Sequence, residues 1–364
     1  VKFACERDEL LTALAAAGRA VSSRGGAQPV LSGLRLRLEG DRLEVTGSDL
    51  DLTIMTTIAV GSGEAGTAVL PAKLIADVVR ALPKGRVELD IDDETAHIAA
   101  GRTEFSLRVF PAGEYPRIDV SEGEEVTIDA KVVAAALAQV VRAASSDDSR
   151  PILTGVLLAA ESDGLRLVAT DSYRLAMRDM PGTSVLAEGQ SVLVPSRALT
   201  ETNRLLGEAD TLTVRLGSRD ASFVIGSTVV TTRLIEGDFP NYRGLIPPGH
   251  PNRLRVSRDQ LLDAVRRVRL LAQEATPVRM SMSTEGLELI AITQDVGQAH
   301  ESLEATFEGE PLTVAFNPEY LLDGIEVAPG DEITLETVDA LKPALLRGDG
   351  EPDFLYLLMP VRVS

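Results

Sequence analysis

The chain repeats itself three times, and this repetition constrains its fold more than any other feature. The stretch from Pro151, PILTGVLLAAESDGLRLVATDSYRL, reads as an apolar strand, a polar turn, a second apolar strand and a compact polar corner. PVLSGLRLRLEGDRLEVTGSDLDLTI from Pro29 and PVRMSMSTEGLELIAITQDVGQA from Pro277 follow the same plan, at intervals of 122 and 126 residues. A period of that length belongs to a whole domain rather than to a solenoid unit. A helix-patterned segment precedes each hairpin, from Arg7, Lys131 and Arg258, and a second follows, opened by Pro71, Pro195 and Pro318. Proline suits the first turn of a helix, where its missing N–H has no partner to lose. Alternating runs such as LRLRLEGDRLEVTG are half-buried antiparallel hairpins. The expected architecture is α+β: three tandem domains over 1–119, 120–247 and 248–364, each with two helices and an antiparallel sheet.

A hydrophobic fraction of 44% over 364 residues supplies cores for three such domains. Cys5 is the single cysteine, so no disulfide can form within the chain; a buried place in the first strand and a cytoplasmic setting are expected. No apolar run has the length of a membrane span, and the acidic residues in VKFACERDE are unlike a signal peptide. The net charge of −19, read as a sum, argues against a nucleic-acid partner. Its distribution argues differently: the six helix-patterned segments together carry +5 and the remainder −24. If the helices all faced one way, that face would be far less negative than the rest. The last strand, FLYLLMPVRVS, is apolar almost to its end and is expected in a sheet or over an apolar groove.

Catalytic signatures are missing. There is no GxxxxGK[ST] loop, no GxGxxG after a strand and no GxSxG elbow. DIDDE at Asp90–Glu94 has no companion ligands and is expected to be a solvated hairpin tip, and His97, His250 and His300 stand in no metal-binding pattern. The sequence offers no catalytic residue, metal site or cofactor, and a repeated β-rich chain of this kind favours a binding or scaffold role over a hydrolase or metalloenzyme.

VKF at the start, PVLSG, the Pro71-Ala72 helix, TDSYRLA at Thr170–Ala176, GDFPNYRGLIP, FNPEYLLD, KPALL and the terminal LMPVR together resemble the bacterial sliding clamps, the β subunits of DNA polymerase III. The resemblance spans the whole chain with the motifs in family order, and KPALL and LMPVR look like the actinobacterial branch. It implies a head-to-tail homodimer closing into a six-domain ring, with twelve helices lining the hole. Such a ring encircles double-stranded DNA without reading its sequence and confers processivity on the replicative polymerase. It implies no catalysis.

Residue roles follow from the same resemblance. A pocket between the second and third domains would take short linear peptides of the polymerase, the clamp loader and repair proteins. Its wall would comprise Leu153, Thr170, Tyr173, Arg174, Leu175, Pro240, Leu245, Asn317, Tyr320, Leu341, Pro343, Met359, Pro360, Val361 and Arg362. Arg24, Lys73, Arg80, Arg150, Arg197 and Arg204 would face DNA. At the dimer seam Arg102, Phe105 and Arg108 would meet Leu270, Leu271, Glu301 and Glu304. Two departures concern the pocket: Gly244 stands where many relatives carry a larger residue, and Asp339-Ala340-Leu341 replaces a Thr/Ser-rich run. They motivate an alternative reading, a second, variant clamp tolerant of a pocket-binding antibiotic.

Overall fold

The computed structural model describes residues 1–22, 28–61, 63–118, 123–272 and 276–362. Six α-helices form among them where the apolar spacing placed them: α1 (Arg7–Ala17), α2 (Ala72–Ala81), α3 (Ala130–Val140), α4 (Ser196–Leu206), α5 (Arg258–Val268) and α6 (Pro318–Val327). After α1, α3 and α5 the chain runs into a 3₁₀ turn, Gly18–Ala20, Val141–Ala143 and Arg269–Leu271 respectively. Of the three helix-opening prolines only Pro318 lies inside its helix. Pro71 and Pro195 instead end strands, opposite Gly33 and Gly155, one residue before α2 and α4. Both strands are sheet edges, where a residue without an N–H costs no ladder bond.

The chain divides into two compact units, Val1–Val133 with Arg197–Leu234 and Ala134–Ser196 with Ile235–Ser364. In the first, a four-stranded antiparallel sheet runs in the order Lys2–Glu6, Arg86–Ile91, Thr95–Ala100, Thr103–Arg108. An eight-stranded sheet runs Gly66–Pro71, Gly33–Glu39, Arg42–Ser48, Leu52–Ala59, Thr228–Arg233, Asp220–Ile225, Thr211–Leu216, Glu125–Asp129. Alternate residues of these strands (Leu34, Leu36 and Leu38; Val87, Leu89 and Ile91) face α1 and α2, whose Leu10, Leu14, Ile75 and Val79 complete one apolar core. Cys5 lies in that core, and burial pushes its thiol up to about 12. DIDDE is the turn of the hairpin expected there, closed by Asp92 Oδ1 accepting the N–H groups of Glu94 and Thr95.

The second unit holds a nine-stranded sheet, Ser191–Pro195, Gly155–Glu161, Gly164–Thr170, Arg174–Pro181, Phe354–Leu358, Ala344–Gly348, Glu332–Thr337, Asn252–Ser257, Thr306–Glu308. Its four-stranded sheet runs Gly297–Leu303, Gly286–Thr293, Val278–Ser283, Leu312–Phe316. Leu261, Ala264, Val265 and Val268 of α5 and Leu321, Leu322 and Ile325 of α6 are buried. The terminal strand stops at Leu358, and residues 359–362 continue as irregular chain.

The triplication is visible in the backbone. Each repeat turns its polar corner on a non-glycine residue in the left-handed region: Leu50 (φ 79°), Ser172 (φ 81°) and Asp295 (φ 64°). Leaving the first corner, Leu52–Ala59 pairs with Thr228–Arg233, the last strand of the next repeat. Leaving the second, Arg174–Pro181 pairs in the same way with Phe354–Leu358. The third pair of equivalent strands, Gly297–Leu303 and Thr103–Arg108, forms the outer edges of the two four-stranded sheets. Among the described residues neither edge has a second partner, and an unmasked edge is a template for another chain.

Candidate functional site

Thr170-Asp171-Ser172-Tyr173-Arg174 builds the centre of the site by satisfying its own backbone. Asp171 Oδ1 accepts the N–H groups of Tyr173 at 2.9 Å and Arg174 at 3.0 Å, while Thr170 Oγ1 donates to the Arg174 carbonyl at 2.7 Å. Such side-chain bonds let short polar residues hold a tight corner that the helix and sheet ladders cannot supply. With Ser172 left-handed, Tyr173 projects outward and remains 58% exposed, whereas Arg174 turns inward and Leu175 joins a buried cluster with Val168, Tyr242, Leu345, Leu355 and Leu357.

Arg174 is the pivot. Its Nε donates to Asp171 Oδ2 at 3.1 Å, and one terminal nitrogen donates to Asp323 and, at 3.3 Å, to Tyr356 Oη. The guanidinium carbon lies 4.4 Å from the centre of the Tyr320 ring. Tyr356 Oη donates a hydrogen bond to the Tyr320 carbonyl at 2.9 Å, and burial pushes the Tyr356 phenol up from its ordinary pKa. Tyr320 in turn stacks on Tyr173 with ring centres 6.4 Å apart. Asn317 fixes the start of α6 by accepting from the N–H of Glu319 at 2.9 Å and Tyr320 at 3.4 Å. Gly324 leaves room for this packing: a Cβ there would lie 2.5 Å from Cδ1 of the Tyr356 ring. Gly324→Ala is therefore expected to destabilise the protein by about 2 kcal/mol through overpacking, measured by urea denaturation.

The tail closes the site. Met359 N–H donates to the Tyr173 carbonyl at 2.9 Å and Val361 N–H to the Ala315 carbonyl at 2.8 Å, so residues 359–361 bridge the corner and the strand that leads into α6. Asp339 Oδ1 accepts from the N–H groups of Leu341 and Lys342, and this turn presents Leu341 at 63% exposure. The same bonds hold the Asp339 carboxyl below its usual range. Tyr173, Leu245, Leu341, Met359 and Val361 are exposed apolar residues, while Leu153 and Leu175 are buried. Pro240 and Arg362 are exposed, and Pro343 and Pro360 half-buried. Asp323, which pairs with Arg174, and Tyr242, which packs in the buried cluster with Leu175, were not among the residues singled out in the sequence. A side chain at Gly244 would meet only Asn241 Nδ2, at 3.8 Å, so a larger residue has space there.

The cations expected to face DNA are mostly engaged by neighbouring acids. Arg80 pairs with Asp77 at 2.6 Å, Arg150 with Asp147 at 3.0 Å, and Arg197 with Asp49. Lys73 and Arg204 are exposed on α2 and α4, and Arg24 lies outside the described residues. The acidic α6 binds further arginines, Arg142 and Arg266 through Glu326 and Arg269 through Glu319. At the expected seam, Arg102, Arg108 and Glu304 are exposed, Phe105 is 37% exposed on its edge strand and Leu270 83% exposed beside half-buried Leu271. Glu301 is not waiting for a partner: Arg267 of the same chain holds it in a two-pronged pair, with Nε 3.0 Å from Oε2.

Comparison with known proteins decides the family. Models of the DNA polymerase III beta subunit match end to end, the N-terminal domain over residues 1–119, the central domain over 127–241 and the C-terminal domain over 243–362. The chain belongs to the sliding clamp family. The beta sliding clamp of Streptomyces coelicolor is 36% identical over 381 residues, covering 100% of both chains, and that of Synechococcus elongatus 33% over 374 residues, again with 100% of both covered. The sliding clamp of Bacillus subtilis superimposes with a TM-score of 0.92 at 30% identity, covering 100% of this chain and 99% of the other. The Bartonella birtlesii clamp bound to griselimycin does so with a TM-score of 0.93 at 32% identity and the same coverage. The clamp carries three tandem domains of mixed helix and antiparallel sheet, as the sequence led one to expect. It is a non-catalytic subunit that serves DNA polymerase as a sliding clamp. Among the described residues no helix is long and apolar enough to cross a membrane.

Proposed function

We propose that two copies of this clamp close head to tail into a ring around duplex DNA in the cytoplasm. The ring tethers the replicative polymerase, the clamp loader and repair proteins through short linear peptides. The observation that carries the reading is the strand pairing. Two junctions of one design are complete inside the chain, and the two strands of a third lie at sheet edges, each with one partner among the described residues. A second copy supplies the missing half of each, which completes the third junction in the pattern of the other two. Domain boundaries near 119/120 and 247/248 give every domain one strand to donate and one to receive.

Held by enclosure, DNA needs only weak contacts. That agrees with a chain of net charge −19 whose candidate DNA-facing arginines are largely paired with acids. Partner peptides dock on the apolar set around Tyr173, Leu341 and Met359, over a floor locked by Arg174. Sedimentation tests the ring: a particle of twice 38.8 kDa is expected at micromolar concentration, and a monomer there overturns the reading. Leu341→Asp, at an exposed position, should leave the fold intact and weaken a fluorescein-labelled peptide from the cognate polymerase by about tenfold or more in anisotropy titrations.

A further inference from the structure

Each repeat opens on a strand that leads directly into its first helix: Lys2–Glu6 before α1, Glu125–Asp129 before α3 and Asn252–Ser257 before α5. The register is the same in all three, because Arg7, Ala130 and Arg258 donate their N–H groups to the carbonyls of Gly85, Asp210 and Asp331. Lys2, Glu125 and Arg253 are therefore equivalent, as are Phe3, Val126 and Leu254, and Cys5, Ile128 and Val256.

In the first and third repeats the outer edge of this strand is covered by a later stretch of the same repeat. Lys2 exchanges both backbone hydrogen bonds with Glu64, and the Ala4 carbonyl accepts from Gly61. Arg253–Arg255 pairs with Thr306–Glu308, which sets Arg253 opposite Glu308 and Leu254 opposite Phe307. In the second repeat no strand forms between Pro181 and Ser191. The Gln190 N–H donates to the Ala187 carbonyl and the Ala187 N–H to the Gln190 side chain, which closes that stretch on itself. Among the described residues the eight-stranded sheet accordingly ends at Glu125–Asp129. Burial differs in step: Phe3, Cys5, Leu254 and Val256 are buried, whereas Val126 and Ile128 are only half-buried.

Charge separates the edges as well. The covered strands place a cation, Lys2 or Arg253, opposite a glutamate, Glu64 or Glu308. The open strand carries Glu125 there, its side chain 59% exposed even with Arg215 at 2.6 Å. Glu124 and Asp129 are exposed too. Two such edges are poor partners for each other: an antiparallel pair centred on Thr127 would set Glu125 against Asp129 of the second copy, and like charges placed opposite destabilise a sheet.

We propose that Glu125–Asp129 is a docking edge for an extended segment of another protein, with lysine or arginine opposite Glu125 and a large apolar residue opposite Val126. By equivalence with Lys2 and Ala4, the backbone groups of Glu125 and Thr127 point outward and would bond the added strand. Its apolar residue would cover Val126 as Phe307 lies against Leu254. The inference does not rest on ring closure, since the whole edge belongs to one chain. It is also separate from the peptide pocket, because the edge lies in the first compact unit and the pocket residues in the second.

The test uses the full chain and fluorescein-labelled peptides read by anisotropy. The probe copies Leu303–Gly309, which contains the covering strand of the third repeat, with Glu304→Lys and Glu308→Lys. It should bind with a dissociation constant below about 1 mM, and about tenfold or more tighter than the unchanged copy. Adding Thr306→Pro to the probe removes a ladder donor without altering charge and should weaken binding by about tenfold. On a Glu125→Lys chain the preference should reverse, with the unchanged copy the tighter peptide. Circular dichroism confirms that this variant folds. A saturating polymerase peptide in the pocket should leave the probe bound. Equal binding with and without the proline would mean adhesion to an acidic surface, and displacement by the polymerase peptide would put the probe in the pocket. Either result, or no binding at all, overturns the inference and leaves the ring untouched. Wild-type assemblies larger than a dimer that Glu125→Lys abolishes would assign the edge to a second copy and overturn it as well.

Discussion

Arg174→Ala is expected to lower the stability of the unit that contains it by about 3 kcal/mol, because it takes the cation from nearly buried Asp171 and one of two from Asp323, which keeps Arg142 at 3.5 Å. Arg174 and Asp171 are nearly fully buried, and Asp323 is about one-third exposed, so the cost should sit near the lower end of that seen for broken buried pairs. The Tyr320 ring also loses the cation beneath it. Urea denaturation followed by tyrosine fluorescence reads the change in that unit. The double variant Arg174→Ala with Asp323→Ala should cost clearly less than the sum of the two single changes, since once the arginine is gone the carboxylate is better removed. Additive losses would mean that the pair does not hold the pocket floor. Peptide binding should fall with the stability of the floor, although Arg174 itself need not touch the peptide.

Phe105→Asp should break the ring. Phe105 lies on the inner face of its strand, opposite Ile98, yet remains exposed at the sheet edge. Its equivalents Val230 and Tyr356, each opposite the same position of the preceding strand, are fully buried at the complete junctions. An aspartate in that place would bury a charge without a partner on closure, at both seams of a symmetric dimer. A loss of about 3 kcal/mol per seam corresponds to more than a hundredfold in affinity for each, so the variant should sediment as a monomer at micromolar concentration with an unchanged fold.

Much of this was legible in the sequence because the repeat displays each design three times. The hairpins, the six helices and the polar corner all followed from spacing that recurs in each copy. Local chemistry was legible too: Asp171 and Asn317 act on residues within three positions of themselves, so the motif and the geometry are the same thing. What could not be read was the choice of partners across long stretches of chain. Asp323 is 149 residues from Arg174 and Glu201 is 182 from Arg19; nothing in their neighbourhoods marks them. The pairing of Glu301 with Arg267 on α5 is likewise unmarked in the sequence around either residue.

The most direct measurement of the central claim is retention on DNA of defined topology. The clamp, loaded by its cognate loader onto a nicked circular plasmid and separated by gel filtration, should elute with the circle at moderate salt. After a single restriction cut it should leave the DNA by sliding off the ends. A clamp that stays with the linear product as firmly as with the circle would be held by adhesion rather than enclosure, and that result would contradict the account.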